Sequence, residues 1–119
     1  MTARKIVAGE LASLFKVLAN GDRIRIIEEL RISEKDVNTL QSILGTSSSR
    51  VSQHLSQLKS HKLVKERRQG KHKFYSLAKS EIADWLMGGL DYLENELVNT
   101  QALCEAVIEA KKLWTAKNK

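Results

Sequence analysis

Residues 38–77 read NTLQSILGTSSSRVSQHLSQLKSHKLVKERRQGKHKFYSL, and this stretch decides the fold. Asn38 is a candidate helix cap, and Leu40, Ile43 and Leu44 follow at helical spacing. A short helix is therefore predicted over 38–44, with Gly45 as its stop. Thr46-Ser47-Ser48-Ser49 is rich in capping residues, and a second helix is predicted from there to Ser60, with Val51, Leu55 and Leu58 on its core side. The other side carries Ser49, Arg50, Ser52, Gln53, Ser56 and Gln57, which are polar and include no acid. From Leu63 the period changes. Segments 63–68 and 73–77 read as two short strands, and Gln69-Gly70-Lys71-His72 supplies a glycine-bearing hairpin turn. Helix, turn, helix and then a two-stranded hairpin is the order of a winged helix-turn-helix.

That order has a chemical use. An α-helix fits the major groove of DNA, where base edges present a readable pattern of donors and acceptors. Arg50 suits a bidentate contact to guanine and Gln53 one to adenine, while Ser48, Ser49 and Ser52 reach bases or phosphates. His54 joins this set as a phosphate contact or a neighbour of its own helix. The hairpin carries Arg67, Arg68, Lys71, His72 and Lys73, which suit phosphate contact or entry into the minor groove. A serine-rich helix start by itself is only a cap, and a basic hairpin by itself is only a solvated strand edge. Side by side they mean more. Residues 50–79 hold nine basic residues and one acid, Glu66, so the positive field is concentrated where the reading elements lie.

Outward from this centre the chain is helical. Ile6, Leu11, Leu14, Phe15 and Leu18 keep helical spacing until Asn20-Gly21. Asp22 is the expected cap of a helix carrying Ile24, Ile27 and Leu30, and the polar residues 31–37 read as a loop. After Ser80, another expected cap, Ile82, Leu86, Leu90, Leu93 and Leu97 form one stripe that Cys104, Val107 and Trp114 continue. Unbroken, 80–116 would be about 55 Å long, too long for a small domain. A break near Asn99-Thr100 is expected, or a helix lying against a partner chain. The expected plan is mainly α (α+β): one winged domain over 1–119, five or six helices and a two-stranded wing. Segment 38–60 forms the helix-turn-helix, 63–77 the wing, and 1–19 and 80–119 the helices of a homodimer.

With 119 residues and 42% apolar content, the chain is long enough for one modest core, which a dimer would reinforce. Net charge is +6, distributed as +9 over 1–79 and −3 over 80–119. Such a balance suggests a polyanionic partner. The acidic C-terminal part and the absence of a long apolar run argue against a membrane. The sole cysteine, Cys104, allows no internal disulfide and no cysteine zinc cage, and no secretion signal is read at the start. Both suggest the cytoplasm. No glycine-rich phosphate loop, paired-carboxylate site or Ser/His/Asp arrangement points to an enzyme, and no cofactor is expected.

Three stretches together resemble the ArsR/SmtB family of bacterial repressors. Leu14-Phe15-Lys16-Val17-Leu18-Ala19-Asn20-Gly21-Asp22-Arg23-Ile24-Arg25-Ile26-Ile27 is similar to that family's LFKALADxTRLRIL signature. Residues 44–58 are similar to its recognition helix, and 63–77 to its wing. The resemblance covers about 10–78. It implies a homodimer, joined through its first and last helices, that binds inverted repeats near promoters and leaves them when an inducer binds. An activator or anti-silencer that displaces another DNA-binding protein is the alternative.

The family's metal sensors often carry Cys-x-Cys in the short helix before the recognition helix, where this chain has Asp36 and Asn38. Their other site uses Asp-x-His and a later His pair or His/Glu pair, where alignment places Lys79, Glu81, Tyr92 and Asn95. Thiolate and imidazole ligands are what transition metals need. No metal site is expected, and the inducer is read as a non-metal or a thiol oxidant. Cys104 is the candidate redox residue against the plainer reading that it fills an apolar helix face. Trp85, Met87, Tyr92 and Trp114 are either core and interface or the lining of an apolar inducer pocket.

Overall fold

The computed structural model describes residues 2–96 and 101–115. Six helices and three strands follow in the order α1 (Ala3–Leu18), α2 (Gly21–Ile32), β1 (Lys35–Asp36), α3 (Val37–Leu44), α4 (Ser48–Ser60), β2 (Val64–Gln69), β3 (His72–Leu77), α5 (Glu81–Glu96) and α6 (Gln101–Thr115). This is the winged helix-turn-helix, with one strand more than the sequence suggested.

Helix α2 is the hub. Ile26, Ile27 and Leu30 point from it into the core and are at most 4% exposed. It packs against α1, α3, α4, α5, α6 and β3. Its cap is Asn20, whose side chain accepts from the Arg23 N–H at 3.1 Å. The expected cap, Asp22, instead lies in the first turn, where a carboxylate complements the positive helix end. Likewise Asp36, not Asn38, caps α3 by accepting from the Thr39 N–H at 2.8 Å. The physical reason is β1. Segment 31–37 is not a loop throughout: α2 runs on to Ile32, and Lys35 and Asp36 pair antiparallel with Tyr75 and Phe74 of β3. That pairing satisfies the open edge of β3 and delivers Asp36 to the start of α3.

The expected turn residues do their work. Gly45 ends α3 at φ +70°, the left-handed conformation that glycine enters without a Cβ clash. The hairpin closes with Gln69 opposite His72, so Gly70-Lys71 is a two-residue loop. Gly70 takes φ +64°, as the first central position of a type II′ turn requires. The strands begin one residue away from expectation, at Val64 and His72.

The expected break near Asn99-Thr100 falls outside the described residues. On either side of it, α5 and α6 are separate helices packed on each other. Lys111 of α6 meets Asp91 at 2.8 Å and Glu94 at 2.7 Å on α5, and these two carboxylates push its amine up to about 12. Trp114, 1% exposed, anchors α6 on α2 by donating its indole N–H to Glu28.

Candidate nucleic-acid interface

Helix α4 has two faces, and its period sets them. Val51, Leu55 and Leu58 are at most 1% exposed and seat the helix on the core. Ser48, Ser49, Arg50, Ser52, Gln53, Ser56 and Gln57 are exposed on the other side. Ser47 caps the helix by accepting from the Arg50 N–H at 3.1 Å, which leaves the hydroxyls of Ser48 and Ser49 in the first turn free to face a ligand. Within the protein, the Arg50 side chain makes no hydrogen bond or ion pair with a described residue.

His54 is placed differently from Arg50 and Gln53. Its side chain is 14% exposed and turned toward α2, where the Arg23 guanidinium lies 3.2 Å from Nδ1 and Asp22 lies 3.7 Å from Nε2. A guanidinium has only donors, so Nδ1 is the acceptor and the neutral ring carries its proton on Nε2, facing Asp22. Burial, followed by the charge of Arg23, holds the imidazole below its usual range. Arg23 also donates Nε–H to the Val17 carbonyl at the end of α1. His54 thus joins α4 to α2 and α1, and its ring is committed inside the protein.

The wing divides in the same way. The Arg67 guanidinium forks onto Glu34, with Nε 3.0 Å from one carboxylate oxygen and Nη2 2.7 Å from the other. Its Nη1 donates to Gln69 at 2.9 Å, and its plane lies 4.9 Å from the centre of the Phe74 ring. These bonds hold the Glu34 carboxyl below the usual range and leave Arg67 little freedom to reach outward. Arg68, Lys71 and Lys73 are exposed and form no ion pair with any described residue. Lys59, at the end of α4, holds Glu66 of β2 at 3.0 Å, so the one acid of the region is already neutralised. Of the ten residues expected at the interface, eight stand exposed with no side-chain hydrogen bond or ion pair to a described residue, while His54 and Arg67 serve as internal ties. What reasoning from sequence missed is the pair of partners, Arg23 and Glu34, which lie 31 and 33 residues away in the chain.

The residues aligned with metal positions have other settings. Asp36 uses a carboxylate oxygen to cap α3, and Asn38, Lys79, Glu81, Tyr92 and Asn95 are exposed. Lys79 is a cation, and none of the six offers a thiolate or an imidazole, the softer ligands that transition-metal sites favour. Cys104 is half-buried on α6. The four residues considered for a pocket separate. Tyr92 and Trp114 border a cavity between α2, α5 and α6, Trp85 faces Phe15 with ring centres 6.2 Å apart, and Met87 packs against the core.

A family model described as the N-terminal domain of the methanogenesis regulatory protein FilR1 matches residues 12–88. A transcriptional repressor SmtB homolog of Synechocystis sp. is 34% identical over 87 residues, spanning 73% of this chain and 66% of that protein. The HTH-type transcriptional regulator Rv0081 of Mycobacterium tuberculosis is 37% identical over 95 residues, 79% of this chain and 83% of that one. Its crystal structure superposes with a TM-score of 0.72 over 76% of this chain and 92% of that chain. The solution structure of Mb0332 from Mycobacterium bovis, a homodimeric winged helix-turn-helix DNA-binding domain, superposes with a TM-score of 0.74 at 26% identity, covering 85% of this chain and 94% of that one.

Proposed function

From the premise that this chain belongs to the ArsR/SmtB family of winged helix transcriptional regulators, we propose that it is a homodimeric, sequence-specific DNA-binding repressor of the cytoplasm. One observation carries this reading. An acid-free polar face on α4, seated on the core by Val51, Leu55 and Leu58, stands beside a wing whose Arg68, Lys71 and Lys73 are unpaired among the described residues. Ser48, Ser49, Arg50, Ser52 and Gln53 read base edges in the major groove, with Arg50 and Gln53 as the bidentate readers. The three wing cations hold phosphates and supply affinity that falls with salt. His54 and Arg67 act one step back, by positioning α4 and the wing.

The dimer brings two such heads to successive turns of an inverted repeat. Its proposed surface is the outward side of α1 and α5. Ile6, Val7 and Phe15 of α1 and Trp85 of α5 are each more than half exposed, and the Phe15–Trp85 contact joins the two helices. The Synechocystis relative is named a repressor, which supports this sign, whereas HlyU of Vibrio cholerae, 38% identical over 69 residues, is named a transcriptional activator, so the promoter assay below decides between the two. The absence of soft ligands at the aligned positions supports a non-metal inducer.

The test is fluorescence anisotropy with DNA from upstream of the protein's own gene and with random DNA, at two salt concentrations. Selective binding is expected. Arg50→Ala should relax base preference at one position of each half-site, by about 1–3 kcal/mol. Lys71→Ala should weaken binding to all sequences and reduce the salt slope by about 1. Wild-type behaviour of both variants would mean that the reading surface lies elsewhere. A promoter fusion in a deletion strain gives the sign: expression rises on deletion of a repressor and falls on deletion of an activator.

A further inference from the structure

The cavity between α2, α5 and α6 has a volume of about 560 Å³, inside the range of about 300–1,000 Å³ over which proteins hold small molecules. Leu86, Leu90 and Leu93 of α5 and Trp114 of α6 make its walls apolar, and Arg25 and Glu28 of α2 are its charged groups. Apolar walls with a few fixed polar groups are what such sites are made of. The opposite charges of Arg25 and Glu28 balance, which favours an uncharged occupant.

Glu28 is the polar group best placed to meet an occupant. One of its carboxylate oxygens accepts the Trp114 indole N–H, and no described residue donates to the other. Burial raises its pKa, with the indole bond as a partial offset. A donor carried by a molecule in the cavity can bond the other oxygen in place of water.

The site also sits on the element that grips the reading head. Arg25 borders the cavity and donates Nη2–H to the Ile43 carbonyl near the end of α3, at 3.4 Å. Arg23, on the same helix, holds His54 of α4. A molecule that spreads α5 and α6 from α2, or draws Arg25 inward, changes how α2 holds both helices of the helix-turn-helix.

We propose that this cavity is an effector site for a small, uncharged, largely apolar molecule with one hydrogen-bond donor. Its body rests on Leu86, Leu90, Leu93 and Trp114, and its donor on Glu28. Occupancy is transmitted through Arg25 and Arg23 to α3 and α4. This last step rests on the DNA-binding reading above, whereas occupancy of the cavity does not.

N-phenyl-1-naphthylamine has this chemistry, an apolar aromatic body with a single N–H, and it fluoresces in apolar surroundings. Titrated into the protein, it is expected to bind saturably at one site per chain. Two variants fill the cavity from opposite walls. Gly89→Phe does so from α5, where an added Cβ meets nothing within 4 Å, and Ala110→Phe does so from α6. Each, once shown by thermal melting to be folded, should weaken probe binding by about tenfold or more. Saturating probe should weaken operator binding by about fivefold or more in the wild type and not in the fillers. Unsaturable emission, or saturable binding that persists in both folded fillers, overturns the site. Specific probe binding with unchanged operator affinity overturns the effector role. A protein that binds no DNA at any salt fails the preceding reading instead, and the titration alone then decides the cavity.

Discussion

His54 shows how one side chain can look like a DNA contact in the sequence and act as a joint in the structure. Its neutral ring accepts from Arg23 and faces Asp22, with Arg50 as a further nearby charge. Protonation would place a second N–H against the Arg23 guanidinium. In the unfolded chain this imidazole titrates near about 6.5, and in the folded chain it titrates lower. Between those values the unfolded state binds more protons, so stability rises with pH there and is lost as the solution becomes acidic below about 6.5. The expected result is a Tm that falls from pH 7 to 5.5 in the wild type and falls less in His54→Gln, measured by circular dichroism. Parallel curves would assign the acid loss to other groups. Glu28, whose carboxyl is pushed up by burial, is common to both proteins and cancels in the comparison. The sequence marks His54 only as a polar residue next to the reading face. Its partner lies on another helix, and no local pattern connects them.

At the scale of elements, the wing is a braced hairpin. Arg67 holds Glu34 by two bonds, lies on Phe74 and donates to Gln69, so the hairpin is fastened to the segment that leaves α2. If the residue is a brace, Glu34→Ala and Arg67→Ala weaken operator binding by similar factors, and neither changes the salt slope. A slope change confined to Arg67→Ala, read from anisotropy across a salt series, would make it a phosphate contact. What the sequence disclosed here follows the physics of each element. Helix α4 was legible because Val51, Leu55 and Leu58 repeat with the helical period and Ser47 stands before them. The turn was legible because Gly70 occupies a position that needs positive φ. Strand β1 was not, because two charged residues have no periodicity, and their pairing is dictated by the free edge of β3 rather than by themselves. The caps of α2 and α3 were missed by two residues for a related reason. Asn20, Asp22, Asp36 and Asn38 are all competent caps, and only the path of the chain decides among them.

At the scale of the whole molecule, α1 buries only Val17 and Leu18 of its sixteen residues, and its Ile6, Val7 and Phe15 are each more than half exposed. A subunit of a typical complex buries about 800 Å², and an apolar face of this kind is what such an interface covers. Phe15→Glu, a change at a position 53% exposed, should therefore shift sedimentation from dimer to monomer while leaving the helical circular dichroism of the core elements intact. An unchanged sedimentation coefficient would move the interface off α1 and α5. The nearly unburied α1 also bears on gene dosage. In the proposed homodimer, a helix that completes its packing against a second copy links assembly to the number of molecules in the cell. While monomers predominate, the concentration of paired reading heads grows as the square of the amount synthesised. If the chain is the repressor proposed above, its target is silenced abruptly once expression passes a threshold and released as abruptly when growth dilutes the pool.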